Sequence, residues 1–283
     1  HTEHFIHFRH EPDNPKSLPD NRIQTVYYDQ HRKGLWIGMF MGGLSFFDFQ
    51  TRAFTNYKTD SLANRVWSIT KSDIHHIWVA TENGLCKFNP QEGTFTRFLP
   101  NPKEPTGLEN RIRNVYQASE GTVFVATQYG FYWLDESNQK FIYIKAQEQW
   151  NLSPDQAINC FYEYPRGVLW VGTQRNGLVR YNIQTEAFEK YTHDPTNPAS
   201  IAGNDVRNIF VDASGVFWIG LRQAGISRFN LQAQKFTHTK YSLDAHSPIK
   251  DKCVLSILED QKQNIWVGTL LGGLSKIDKQ GNA

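Results

Sequence analysis

One phrase constrains this chain more than any other: Gly34-Leu35-Trp36-Ile37-Gly38, followed five residues later by Gly43-Leu44. It returns as Ile77-Trp78-Val79-Ala80-Thr81 with Gly84-Leu85, and as Val123-Phe124-Val125-Ala126-Thr127 with Gly130-Phe131. Three further copies centre on Trp170, Trp218 and Trp266, each with its own trailing Gly and apolar residue. The aromatic positions are 42, 46, 46, 48 and 48 residues apart. A four-stranded sheet of that length exposes both faces on its own and buries them only against neighbours, so a period in the forties with one aromatic strand per copy predicts stacked propeller blades.

Each copy reads as four strands. A short apolar strand such as Val206–Val211 comes first, then a tight turn, then the aromatic strand. A Gly-containing turn leads to a third strand such as Leu178–Asn182, and a fourth carries Phe and often Tyr, as at Phe54 and Tyr57 or Phe188 and Tyr191. The repeats cover roughly 21–60, 64–101, 110–145, 155–194, 204–241 and 251–278. The last lacks a fourth strand. Residues 4–10 resemble the text before His193-Asp194-Pro195 and are expected to supply it. The expectation is therefore an all-β, six-bladed β-propeller forming one domain over 1–283, closed by pairing the N-terminal strand with the C-terminal three. Closure removes exposed strand edges. The alternative is part of a seven-bladed or tandem propeller.

Composition narrows the function. The net charge of +2 comes from scattered Lys and Arg, whereas nucleic-acid binding calls for a concentrated basic stripe. Five of the eight Trp occupy the repeat position, which assigns them to the core. Cys86, Cys160 and Cys253 fall at different repeat positions without a CxxC pair, excluding a disulfide framework or a zinc knuckle as the organising device. No apolar run reaches membrane-spanning length, and no signal peptide opens the sequence. His1, His4, His7 and His10, spaced by three, alternate between the faces of a strand, and His75-His76 lacks partners at ligand spacing, so no metal site is expected. There is no GxSxG or HExxH, and the Asp of the turn before Trp218 is one position off an Asp-box.

The complete phrase, Asp-x-x-Gly-x-[Leu/Ile]-Trp-[Val/Ile]-Gly-Thr-x-x-Gly-Leu, fullest at 206–229 and 254–277, resembles the two-component regulator propeller repeat, as does the text from His193 to Ile201. The resemblance covers nearly the whole chain. It implies the periplasmic sensor part of a hybrid two-component protein whose histidine kinase lies elsewhere in the parent. It also implies an oligosaccharide or other small ligand, no cofactor, and a possible homodimer through the parent sensor. Neither nucleic acid nor membrane is expected to touch this domain. The alternatives are a protein-interaction scaffold and a carbohydrate-active hydrolase or lyase.

A recurring polar pair, whose first member stands 14 or 15 residues ahead of the aromatic, marks the expected ligand face. It reads Asn21-Arg22, Asn64-Arg65, Asn110-Arg111, Asp155-Gln156, Asn204-Asp205 and Asp251-Lys252. The Asn residues equally suit caps of the turn. The turn after the aromatic strand adds Glu82-Asn83, Gln128-Tyr129, Gln174-Arg175-Asn176 and Arg222-Gln223. The expected ligand-binding residues are Arg22, Arg65, Trp67, Arg111, Arg113, Tyr129, Gln174, Arg175, Asn176, Arg207, Arg222 and Gln223. Arg holds carboxylate or sulfate in bidentate fashion, and flat rings cover the apolar faces of sugars, so the set suits an anionic saccharide.

Overall fold

The computed structural model describes residues 6–58, 64–127, 130–144, 148, 157–233, 235–239, 241–242 and 247–278. Among them, each of the six repeats folds into one antiparallel sheet whose strands pair in chain order, and the fold is a six-bladed β-propeller. Five sheets have four strands; the sixth has three. The chain divides into two compact units, the first holding blades one to three (residues 1–117 and 121–143) and the second holding blades four to six (118–120 and 144–283).

Within the first unit the aromatic of one blade packs on the next. Trp36, on Gly34–Met39, is buried against Phe46 and Tyr57 of its own sheet and meets Phe88 of the second blade edge-on at 5.7 Å. The second unit repeats the device: Trp170 on Val168–Thr173 lies 4.6 Å from Phe217 and 5.8 Å from Phe229 of the following blade. Each such ring contributes about 2–3 kcal/mol of burial. The small residue after the aromatic strand's core has a steric cause. A Cβ at Gly172 or Gly220 would come within 2.7 Å of Val206 or Val254, which open the next blade's first strand.

Four of the five repeat indoles are also tied down. Nε1 of Trp36, Trp218 and Trp266 donates to Asp29, Asp212 and Asp260 at 3.0, 2.7 and 2.9 Å, and that of Trp170 donates to the Tyr164 carbonyl at 2.6 Å. In the third blade, where Phe124 has no N–H to give, Ala118 stands at the Asp position.

The strand expected from residues 4–10 does not form over 6–10; residues 4 and 5 lie outside the described set. Phe8 instead sits on Phe47 and Phe54 of the first blade, with centroids 4.8 and 5.4 Å apart. Aromatic contact holds this stretch without ladder hydrogen bonds. Its loop repeats that of the fourth blade: His10 N donates to Asn21 Oδ1 at 2.7 Å, as His193 N does to Asn204 Oδ1. Correspondingly, Leu274 in the sixth blade is 59% exposed while its counterparts Leu44, Leu85, Leu178 and Ile226 are fully buried. In the first blade Ile23 and Val26 are 41% and 59% exposed, against 0% and 7% for Val66 and Ile69.

Candidate functional site

The first strand of every blade carries a bulge after its first residue. The ladder steps from Ile23 to Thr25, Val66 to Ser68, Ile158 to Cys160, Val206 to Asn208 and Val254 to Ser256, and in the third blade from Ile112 to Asn114. The skipped residues are Gln24, Trp67, Arg113, Asn159, Arg207 and Leu255. A bulge re-aims the extra side chain out of the sheet's packing. Three of the expected site residues, Trp67, Arg113 and Arg207, are such bulge residues.

A second device brings the polar pair to the turn after the aromatic strand. Arg22 O accepts from Phe40 N at 2.9 Å, Arg65 O from Glu82 N at 3.0 Å, and Asp205 O from Arg222 N at 3.0 Å. Phe40, Glu82, Gln174 and Arg222 all stand four residues after their blade's aromatic.

In the first unit these devices assemble a compact cluster. The Arg65 guanidinium lies 3.6 Å from the centre of the Phe40 ring and 5.2 Å from that of Trp67. Arg113 lies 4.1 Å over Trp67, and Arg22 4.6 Å over Phe40. Glu82 gathers the donors: Trp67 Nε1 donates to it at 2.9 Å, Arg111 Nε lies at 3.0 Å, and the Arg65 guanidinium stands 3.6 Å away. Arg22 is held in bidentate fashion by Asp20, with both contacts at 3.1 Å.

Charge is unbalanced here. Arg65, Arg111 and Arg113 face the single carboxylate of Glu82, so positive charge is in excess. Among the described residues Arg113 makes no hydrogen bond or ion pair; its neighbours are the Trp67 ring and the charges around it. Burial pushes its guanidinium below the ordinary arginine range, Arg111 and Arg65 push the same way, and Glu82 opposes them. It stays protonated at neutral pH all the same. A half-buried, unpaired guanidinium fixed over an indole is a ready partner for an acid group.

The second unit is more nearly neutral at the equivalent positions. Asp205 takes Arg207 Nε at 2.9 Å and Arg222 Nη1 at 3.7 Å, and it accepts from Asn159 Nδ2 at 3.3 Å. Gln174 is occupied locally, donating its N–H to Ala157 O at 2.9 Å and accepting from Ala157 N at 3.5 Å. Asn176 N donates to Thr173 Oγ1 at 2.9 Å, while Arg175 and Gln223 are exposed. Tyr129 lies outside the described residues. The Asn of the pair is structural at three places. Asn21 and Asn204 hold the preceding loop, and buried Asn110 bonds Asn101 and Glu104.

Phe40 was not legible as a site residue, although aligning it with Glu82 by distance from the aromatic places it at the same repeat position. The bulges had a signal too: apolar residues three apart, as Val66 and Ile69 or Val206 and Ile209, cannot share one face of a flat strand.

The model for "Two component regulator propeller" matches residues 152–175 and 248–270. Histidine kinase P4 of Formosa agariphila is 26% identical over 207 residues, which is 68% of this chain but 14% of that protein. The extracellular domain of the putative hybrid two component system BT3049 from B. thetaiotaomicron superposes with a TM-score of 0.79 at 22% identity, covering 96% of this chain and 36% of that one. A catalytically inactive virginiamycin B lyase from Staphylococcus aureus, solved with quinupristin, shares the fold at a TM-score of 0.69 and 13% identity, over 92% of this chain and 82% of the lyase. The chain thus spans well under half the length of the signalling proteins it matches. In its repeated phrase and in the two segments matched, the chain is similar to the two-component regulator propeller family.

Proposed function

We propose that this chain is the extracytoplasmic, ligand-sensing propeller of a two-component signalling protein, itself without catalysis, and that it recognises acidic oligosaccharide fragments and relays their binding toward a kinase. Arg113 carries the reading: a half-buried guanidinium over Trp67, with two further arginines beside it and one carboxylate among them. The family and the histidine kinase relative support the signalling context. In this reading the compartment is the periplasm, and the signal passes through a homodimer of the parent sensor.

Calorimetry tests the ligand class, comparing uronate-containing oligosaccharides with their carboxyl-reduced, neutral forms. The acidic forms are expected to bind and the neutral ones to lose most of the signal. Arg113→Ala should weaken binding about tenfold or more, the scale of a lost charge-assisted hydrogen bond. Arg207→Ala should matter less, because Asp205 already neutralises that guanidinium. Equal binding of acidic and neutral forms, or a folded Arg113→Ala protein of unchanged affinity, would sink the proposal.

A further inference from the structure

Among the described residues Glu82 is the acid shared by Arg65 and Arg111, and it is not placed as an ordinary surface partner. Its backbone is anchored to Arg65 by the 3.0 Å bond from its own N–H. One carboxylate oxygen accepts from Trp67 Nε1 at 2.9 Å and faces the Arg65 guanidinium at 3.6 Å, while the other lies 3.0 Å from Arg111 Nε. The donors come from the second blade's pair, its bulge and the third blade's pair. A carboxylate accepting an indole N–H and two guanidinium contacts occupies the position a bound acid group would take.

We infer that Glu82 is an internal place-holder that sets the charge specificity of this face: it fills the acid-binding position on Arg65 and Arg111, and leaves Arg113 as the guanidinium open to a ligand. The inference rests on the reading that the face takes anions. Two consequences follow from the geometry. An incoming acid meets Arg113 first and feels the repulsion of Glu82 close by, so anions bind more weakly than the surplus of arginines alone would give. Neutralising the carboxylate while keeping its shape frees two more guanidinium groups. Removing the side chain altogether takes away the acceptor of the Trp67 indole N–H, so loss of shape and loss of charge act in opposite directions.

The test titrates the protein with inorganic sulfate at constant low ionic strength, following the arginine Nε–H and Trp67 indole resonances by NMR. In the wild type, sulfate should move the Arg113 signal and leave that of Arg111 in place. In Glu82→Gln, sulfate should bind about three- to five-fold more tightly, the range expected for removing a partly exposed like charge, and should now move Arg111 as well. In Glu82→Ala, the Trp67 indole signal should shift and broaden before any sulfate is added. Equal or weaker sulfate binding by a folded Glu82→Gln protein overturns the inference, as does the absence of sulfate binding in both proteins. The saccharide reading fails separately: if no acidic oligosaccharide binds but Glu82→Gln still tightens sulfate, the place-holder stands and the ligand class does not.

Discussion

A single atom separates the second blade from its neighbours. Nε1 of Trp78 is buried without a hydrogen-bond partner, whereas the indoles of Trp36, Trp218 and Trp266 each meet an Asp. Ser72 stands six residues before Trp78, where Asp212 and Asp260 stand before theirs, and its N–H makes the same turn bond, to His76 O at 3.2 Å. Ser72→Asp should therefore supply the missing acceptor and stabilise the protein by about 1 kcal/mol, read from urea unfolding. Asp212→Ala should do the opposite, at a cost of about 2 kcal/mol. Burial raises the pKa of Asp29 and Asp212, but hydrogen bonds from Trp36 and Arg32, and from Ser214 and Trp218, outweigh it and leave both lowered. A carboxylate with a folded pKa below its unfolded one contributes stability above the unfolded value, about 3.9 for Asp, and loses it as pH falls through the folded value. The urea midpoint should accordingly hold from pH 7 to about 5 and fall progressively below pH 4. An unchanged midpoint at pH 3 would mean these aspartates contribute nothing. The Asp lies six residues before Trp218 and Trp266 but seven before Trp36, so the pairing is only partly legible as spacing, and the unmet indole of Trp78 is not legible at all, because Ser at that position looks like any turn residue.

At the scale of the strand, the bulge divides packing from presentation. Val254 and Leu255 are consecutive, yet Val254 is buried against the preceding blade at Gly220 while Leu255, the bulge residue, is exposed. Val254→Ala should cost about 2 kcal/mol, and Leu255→Ser should leave stability within about 0.5 kcal/mol. Similar losses at both positions would show that the bulge side chain is part of the core. This is also where sequence reading fell short. Alternation and apolar content place the six first strands correctly, but they treat each as flat, and a flat strand sends residues three apart to opposite faces. The expected residues Trp67, Arg113 and Arg207 each stand two residues beyond the second member of the polar pair. What unites them is the extra residue in the ladder. Glu82 acquires its meaning only in three dimensions, since its partners stand 15, 17 and 29 residues before and after it.

For the molecule as a whole, six copies of one phrase make the blades plain in the sequence, because the aromatic, the small residue behind it and the trailing Gly are each required by blade stacking. The terminal blades departed from expectation for the same reason. Leu178 and Leu274 occupy one repeat position, but only Leu178 is covered. Leu178→Ala should cost about 3 kcal/mol and Leu274→Ala less than about 1 kcal/mol in residues 1–283. A large penalty at Leu274, measured by the same unfolding experiment, would mean that its face is covered in solution.

The six bulge positions hold Gln24, Trp67, Arg113, Asn159, Arg207 and Leu255: an amide, an indole, two cations, a second amide and an aliphatic chain on one recurring piece of backbone. The ladder closes around each of them without using its side chain. Such positions behave as interchangeable characters in a fixed sentence. On the reading proposed above, their identities could be rewritten blade by blade while the grammar of the fold stays intact, and a handful of substitutions outside the core would re-address the frame to a new chemical message.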